Sequence, residues 1–433
     1  MELTIEKMIY GGDGLARLAP HSPERRSKTV FIPFVLPGER VQAALVEDRP
    51  GFARAQLEKV LKASPARTPA PCPYFASCGG CHYQHTSYDE QLLLKAEILR
   101  ETLRRTAKIE LAVQLQVHPS PPFGYRNRTR FHVQVKPEFA IGYFRHGSHE
   151  LLPVRECPIS SPLINRALEH LWKIGTAKAL ANVVEIEPFT NGNDDDLLLE
   201  IYLRQDSTVN EDLRGFTTQL VSSIPALRGV VAFSGASSNR RSSSDRAEVL
   251  FGLQSLRYAV AGESYQVSAG AFFQTNRHLA ERIVEVAIGQ RRGKLALDLY
   301  SGVGLFALPL ARRFDRVIAV ESSPISAQDL KTNLPATAKV SHQSTEAYLA
   351  GVAGKLRPEL MVADPPRAGL GPRVCESIAR LRPKEMVYVS CDPATLARDL
   401  KQLTASGLRI SEMHLLDLFP QTFHIETCTV LSG

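Results

Sequence analysis

The 433-residue chain holds a single tryptophan and 7% aromatic residues, so its core has to be built mainly from aliphatic side chains. No uninterrupted apolar stretch is long enough to cross a bilayer as a helix, which sets aside helical membrane proteins. The opening residues, MELTIEKMIYGGDG, are polar and strand-like where a secretory leader would be apolar. Seven cysteines are few for the length and odd in number, which speaks against a disulfide framework and predicts a reducing, cytoplasmic setting. Neither sign of charge is scarce. The formal balance of +7 suits a polyanionic partner without demanding one. The length predicts two or three domains.

The first sixty or so residues alternate apolar and polar side chains, broken at Gly11-Gly12, Pro37-Gly38 and Pro50-Gly51. Strands are read at 3–9, 29–34, 39–47 and 53–61. Short strands with regular turns predict a small OB-like β-barrel over 1–63, a shape that commonly binds nucleic acid. Lys28, Arg40, Arg49, Arg54 and Lys59 could meet phosphates there, or simply keep an exposed barrel soluble. SPARTPAP, 64–71, reads as a proline-stiffened linker. CPYFASCGGC follows at once, with Cys72, Cys78 and Cys81 in C-x₅-C-x₂-C spacing and Cys157 far along in VRECPIS. Clustered thiols in a cytoplasmic protein point to a soft metal or cluster. Four cysteines suit tetrahedral zinc and an iron–sulfur cluster alike.

Ser87 and Glu90 form a capping-box pattern ahead of a helix (87–107) whose Leu92, Ala96, Leu99 and Leu103 share one face. In FGYRNRTRFHVQV, Arg126, Arg128 and Arg130 recur at period two and so leave one face of a strand, where three cations would grip RNA phosphates or stay solvated. NGNDDD (191–196) and SSNRRSSSDR (237–246) read as exposed loops between strands.

The C-terminal half is richest in chemistry. In MVYVSCDPATLARDL an apolar run ends at Ser390-Cys391, and Asp392-Pro393 opens a helix. A cysteine at a helix N-terminus is expected to have a lowered pKa and to serve as a nucleophile; a small core residue is the plainer alternative. Upstream, the strand 295–299 runs into Gly302-Val303-Gly304, and Glu321 ends a second strand nineteen residues after Gly302. Glycines let a backbone approach a cofactor, and an acid at that distance can take ribose hydroxyls. With no third glycine, a nucleoside site fits better than a dinucleotide site. A third strand, ELMVADPPRAG, ends at Asp364. This series predicts an open α/β sheet with its ligand beyond the carboxyl edge.

DLYSGVG, DPPRAG, VSCDPATLARDL and DLFPQTFHIETCTVL occur in the order seen in the RNA 5-methyluridine methyltransferases, which the chain resembles; FFQTN (272–276) is similar to that family's cofactor-binding lead-in. Likeness is strongest to the bacterial 23S rRNA uracil-5-methyltransferase branch that carries a TRAM barrel and an iron–sulfur cluster. The resemblance implies a TRAM domain over 1–63, a central α+β domain over 64–265 with a [4Fe–4S] site on Cys72, Cys78, Cys81 and Cys157, and a Rossmann-like methyltransferase domain over 266–433 on which the 87–107 helix packs. It implies S-adenosylmethionine (SAM) as methyl donor, contacted by Gln274, Tyr300, Glu321 and Asp364, with Cys391 as nucleophile and Glu426 as general base. RNA, most closely 23S rRNA, is the implied substrate of a monomer. Leu305 stands where the family commonly has Asn, so one polar cofactor contact is expected to be missing or replaced. A tRNA-directed enzyme, a cytosine-5 methyltransferase and a non-catalytic RNA-binding protein are the alternatives; the tRNA branch is expected to lack the barrel and the cysteines.

Overall fold

The computed structural model describes residues 1–18, 27–235, 246–352 and 354–433, so most of the expected 237–246 loop lies outside the described residues. No described helix is long and apolar enough to cross a membrane.

Strands Glu2–Met8, Asp13–Leu18, Lys28–Pro33, Arg40–Asp48 and Phe52–Lys62 close into a five-stranded barrel. Period-two alternation turns Leu3, Ile5, Val30, Ile32, Val41, Ala43, Ala53 and Ala55 inward, and the three alanines fit its narrow bore. The strand Asp13–Leu18 is absent from the sequence reading because Gly14 interrupts its pattern. A Cβ on Gly14 would meet Val35 and come within 2.9 Å of Ile5, so the glycine is what lets this strand close the barrel. The 64–71 linker is pinned: Arg67 pairs with the buried Glu39 (Nη2 to Oε2, 2.8 Å), and the Ser64 amide donates to the same carboxylate.

A seven-stranded sheet follows, ordered Arg246–Gly252, Leu227–Ser234, Leu197–Leu203, Val183–Thr190, Phe131–Gln134, Ala140–Phe144 and Leu151–Pro153. Its strand Leu197–Leu203 is buried along its whole length. Leu197, Leu199, Ile201 and Leu203 pack with the helices Pro162–Ile174 and Glu211–Ser223, while Leu198 and Tyr202 join a core shared with the C-terminal sheet. Residues 191–196 form the turn between two of these strands.

The C-terminal sheet has eight strands, ordered Lys339–His342, Phe314–Glu321, Gly293–Leu299, Leu360–Ala363, Glu385–Ser390, Glu426–Ser432, Arg409–Leu416 and Leu115–His118. The first five are parallel, and the order reverses between Gly293–Leu299 and Leu360–Ala363, which opens a crevice at their carboxyl ends. Glu426–Ser432 runs antiparallel to both neighbours. The eighth strand comes from ahead of the central sheet and was not read from sequence, since four residues carry too little pattern. It is preceded by the helix Tyr88–Thr102, capped by Ser87. Ala96, Leu99 and Leu103 are buried as expected, but Leu92 is only half-buried, because the face is turned toward Gln91 and Lys95. Lys95 Nζ lies 2.6 Å from Asp417 Oδ1 with neither side chain exposed, and Gln91 exchanges hydrogen bonds with Gln421. These pairs tie the helix to the loop that precedes Glu426.

Candidate active site

Cys391 directly follows the strand Glu385–Ser390, and the helix Pro393–Ala405 begins two residues later. The helix's first free amides are taken by the Asp392 carboxylate, which accepts from Ala394 N at 3.0 Å and Thr395 N at 2.8 Å. The expected lowering of the Cys391 pKa is therefore overturned. Burial pushes the thiol up to about 12, and the carboxylates of Glu426 and Asp364 add to the rise. The group is a thiol in this state.

Glu426 reaches the same spot from the neighbouring strand. The antiparallel register pairs Ser390 with Thr427, so the next residue on each strand, Cys391 and Glu426, face one another across the sheet edge. Asp364, one residue past Leu360–Ala363, completes a carboxylate pair. Burial and the Asp364 charge hold Glu426 well above the ordinary carboxylate range, and burial raises Asp364 to about 7. Ionising one of these acids therefore disfavours ionising the other. Arg367, behind Asp364 in DPPRAG, was not singled out from sequence; its charge opposes the rise at both Glu426 and Cys391, and its Nη2 lies 3.3 Å from His424 Nε2. Tyr10, from the first barrel turn, reaches 3.4 Å from the Cys391 carbonyl and packs edge-on against Phe423, so the barrel touches the Cys391 turn.

The glycine loop lies at the crevice beside this edge. Glu321 accepts from the Gly302 amide (2.8 Å) and from Ser323 (2.6 Å), holding the glycine loop. Gly302 and Gly304 lie at φ 54° and 101°, and a Cβ on Gly304 would strike Leu330 at 2.9 Å. Tyr300 adopts φ 60°, a left-handed conformation a tyrosine rarely takes, which marks strain at the strand end. Gln274 Nε2 lies 3.4 Å from Asp364 Oδ2. Asp298, the first residue of DLYSGVG, was quoted in the sequence reading without a role. It is fully buried, and burial, with the charges of Asp364 and Glu321, raises it to about 8 against the opposing pull of Ser301 and the Ala307 amide. A buried acid without a cationic partner beside a glycine cradle fits a cationic nucleoside such as SAM. Phe272, 60% exposed, offers an apolar face two residues before Gln274. Leu305 is buried in the core and uses only its carbonyl, which accepts from Tyr265 Oη at 3.1 Å.

The four cysteines of the central region are free, half-buried and mutually coupled. Burial pushes Cys78 up to about 11 and Cys81 up to about 12, and charge on Cys157 raises Cys72, Cys78 and Cys81 alike. Cys72, Cys78 and Cys81 therefore all lie within reach of the Cys157 charge. No three His, Cys, Asp or Glu side chains among the described residues are close enough to hold a single metal ion.

The three arginines do not form a row of free cations. Arg128 is 7% exposed, lies between Glu187 (3.4 Å) and Glu200 (3.2 Å), and stacks over Phe189 at 4.0 Å. Arg130 pairs with Glu185 and Glu187 and covers Tyr202. The charge of Arg126 is felt by Cys78, Cys81 and, toward the active site, His424. Carboxylates on the adjoining strands, invisible to a reading of one strand, claim Arg128 and Arg130 before any phosphate could.

The sequence pattern of the tRNA (Uracil-5-)-methyltransferase family matches residues 87–345 and 349–433, and that of the TRAM domain matches 1–57. An uncharacterized RNA methyltransferase of Aquifex aeolicus is 32% identical over 440 residues, covering 100% of this chain and 98% of its own. One from Synechocystis is 30% identical, covering 100% and 96%. Among solved structures, a Pyrococcus abyssi tRNA (uracil-54, C5)-methyltransferase in complex with S-adenosyl-L-homocysteine superposes over 100% of both chains, with TM-score 0.75 and 26% identity. A tRNA-directed relative thus extends over the barrel, contrary to the expectation that such enzymes lack it. With the barrel, the crevice and the Cys391–Glu426 edge in place, the chain belongs to the TRAM-domain family of RNA uracil-5-methyltransferases.

Proposed function

We propose that the protein methylates the 5-carbon of one uridine in a structured RNA, with Cys391 as nucleophile and Glu426 as base. The observation that carries this reading is the register that sets Cys391 opposite Glu426. SAM, when bound, supplies an electrophilic methyl group; Glu321, Tyr300, Gln274 and Asp364 would hold it, with Asp298 facing its positive charge. The uracil 5-carbon is too weakly nucleophilic to take that methyl unaided. The Cys391 proton passes to water, and its Sγ bonds to the 6-carbon as the C5–C6 π electrons move into the ring to form an enolate, whose 5-carbon accepts the methyl. Glu426 then removes the 5-proton, and the Sγ–C6 bond breaks to regenerate the thiolate. For that step Glu426 must be ionised, so any proton on it must first pass to Asp364 or leave. The uridine has to be splayed from its stack to reach the edge.

We divide the chain at 63/64 and 265/266, with the segment 88–118 assigned to the catalytic unit because its strand pairs there. The four cysteines are proposed to hold a [4Fe–4S] cluster. The spacing of the four cysteines suits zinc as well, and the family resemblance is what favours the cluster. Protein purified without air should be brown and carry roughly four irons, and Cys81→Ser should bleach it; one zinc and no iron would overturn the assignment. The substrate is proposed to be 23S rRNA. A tRNA is the second reading, supported by the full-length match to the P. abyssi enzyme. Mass mapping of both RNAs from a deletion strain separates the two.

The central test is covalent. RNA carrying 5-fluorouridine at the target should form a stable adduct with the wild type, since fluorine blocks the final elimination. Cys391→Ala should form none while still binding SAM. Normal turnover by Cys391→Ala would sink the mechanism.

A further inference from the structure

A groove with a volume of about 1290 Å³ lies on the central sheet, lined by residues other than those of the crevice. One wall is aromatic: His132 and Phe144 stack with centroids 3.8 Å apart and planes at 18°, and His149 meets Phe144 edge-on at 5.5 Å. Lys136 and Arg204 also line the groove, both exposed and without an ion-pair partner among the described residues. Its only acid, Glu185, is 4% exposed and already countered twice, by Arg130 (3.1 Å) and by His132 Nδ1 (3.3 Å). The net character is an aromatic wall flanked by two free cations.

We infer that this groove binds a single-stranded nucleotide of the substrate RNA flanking the target uridine, its base against the His132–Phe144–His149 wall and its phosphates at Lys136 and Arg204. The inference rests on the RNA-directed reading above and extends it to a second contact point. Rings accept any base by stacking and cations follow a phosphate chain, which together are how single strands are held without sequence readout. Glu185 adds a bias. Each of its oxygens keeps a second lone pair, so it can accept from an exocyclic amino group, which uracil lacks. His132 stands six residues beyond Arg126, whose charge reaches the active-site His424. At about 3.3 Å per residue, His132 lies no more than about 20 Å from Arg126.

Two kinds of variant test this. Lys136→Ala with Arg204→Ala changes exposed side chains that hold nothing in the fold; Phe144→Leu keeps apolar volume but removes the ring face. Binding of the methyl-accepting RNA, measured against salt without turnover, should weaken roughly tenfold in each. The salt slope of the double variant should fall by about 1.4, at about 0.7 per lost phosphate contact on a single strand. Turnover at saturating RNA and SAM binding should stay at wild-type levels. Wild-type affinity and slope in the double variant would overturn the groove as an RNA site. A wild-type protein that binds RNA through this groove but methylates none would overturn the proposed activity instead.

Discussion

Two sets of buried acids lie close together in this molecule and have opposite fates. On the central sheet, Glu185, Glu187 and Glu200 are each met by Arg128, Arg130 or His132. At the carboxyl edge of the C-terminal sheet, Asp298 is buried without an ion-pair partner among the described residues, and the charges of Asp364 and Glu426 raise Cys391. Compensated acids fix a fold. Uncompensated ones hold strongly shifted pKa values, as groups at functional sites commonly do.

The sharpest break of this contrast is Glu426→Gln. It should cut turnover by about 10²–10⁴-fold and accumulate a methylated RNA–protein adduct with ordinary uridine, visible as a slow-migrating band. It should also raise the melting temperature of the SAM-free protein, because a costly carboxyl is gone. Cys391→Ala in the same background must eliminate the band. If Glu426→Gln turns over freely, the proton goes elsewhere, and Asp364 becomes the residue to test.

The mirror experiment is Arg128→Met. It should leave chemistry intact yet lower stability by about 3–5 kcal/mol, the cost of stranding one partner of a buried ion pair, read from the urea midpoint. Adding Glu200→Gln should recover part of that loss. A stability change no greater than that of an exposed arginine would erase the distinction between the two sets of acids.

Proton linkage gives a smaller, graded test. Asp364 at about 7 and Asp298 at about 8 lie above their ordinary value of 3.8, so the folded protein holds protons that the unfolded chain releases. Their contribution to stability is complete below about pH 4 and is lost as pH climbs through 7 and 8. The SAM-free melting temperature should therefore fall over that range. SAM, as a cation, should bind more tightly as pH rises and release protons on binding, which calorimetry in buffers of different ionisation enthalpy detects. Proton uptake would contradict the assignment.

The smallest effect is expected at Leu305. Its side chain belongs to the core, so Leu305→Asn should leave SAM affinity within about threefold while costing about 1–3 kcal/mol of stability for an unpaired buried amide. A large gain in affinity would mean that the side chain reaches the crevice after all.

Local pattern carried much of this protein. The barrel's alternation, the Ser87 cap, the strand–Cys391–helix junction and the Gly302 and Gly304 turns depend on neighbours a few residues away, and each stands where the sequence places it. Whatever depends on charges summed through space was not legible. The helix start at Pro393 suggested an activated thiolate, but Asp392 takes the helix amides, and carboxylates from two other strands raise the thiol. Period two put three arginines on one face without revealing the glutamates opposite Arg128 and Arg130. Lys95, which by its chemistry belongs in solvent, is buried because Asp417, 322 residues away, meets it there. The sequence alone determined the elements and the residue types of the site. Only the tertiary structure decided their protonation and pairing, because periodicity is a property of adjacent residues whereas desolvation and Coulomb energy belong to whatever the fold brings near.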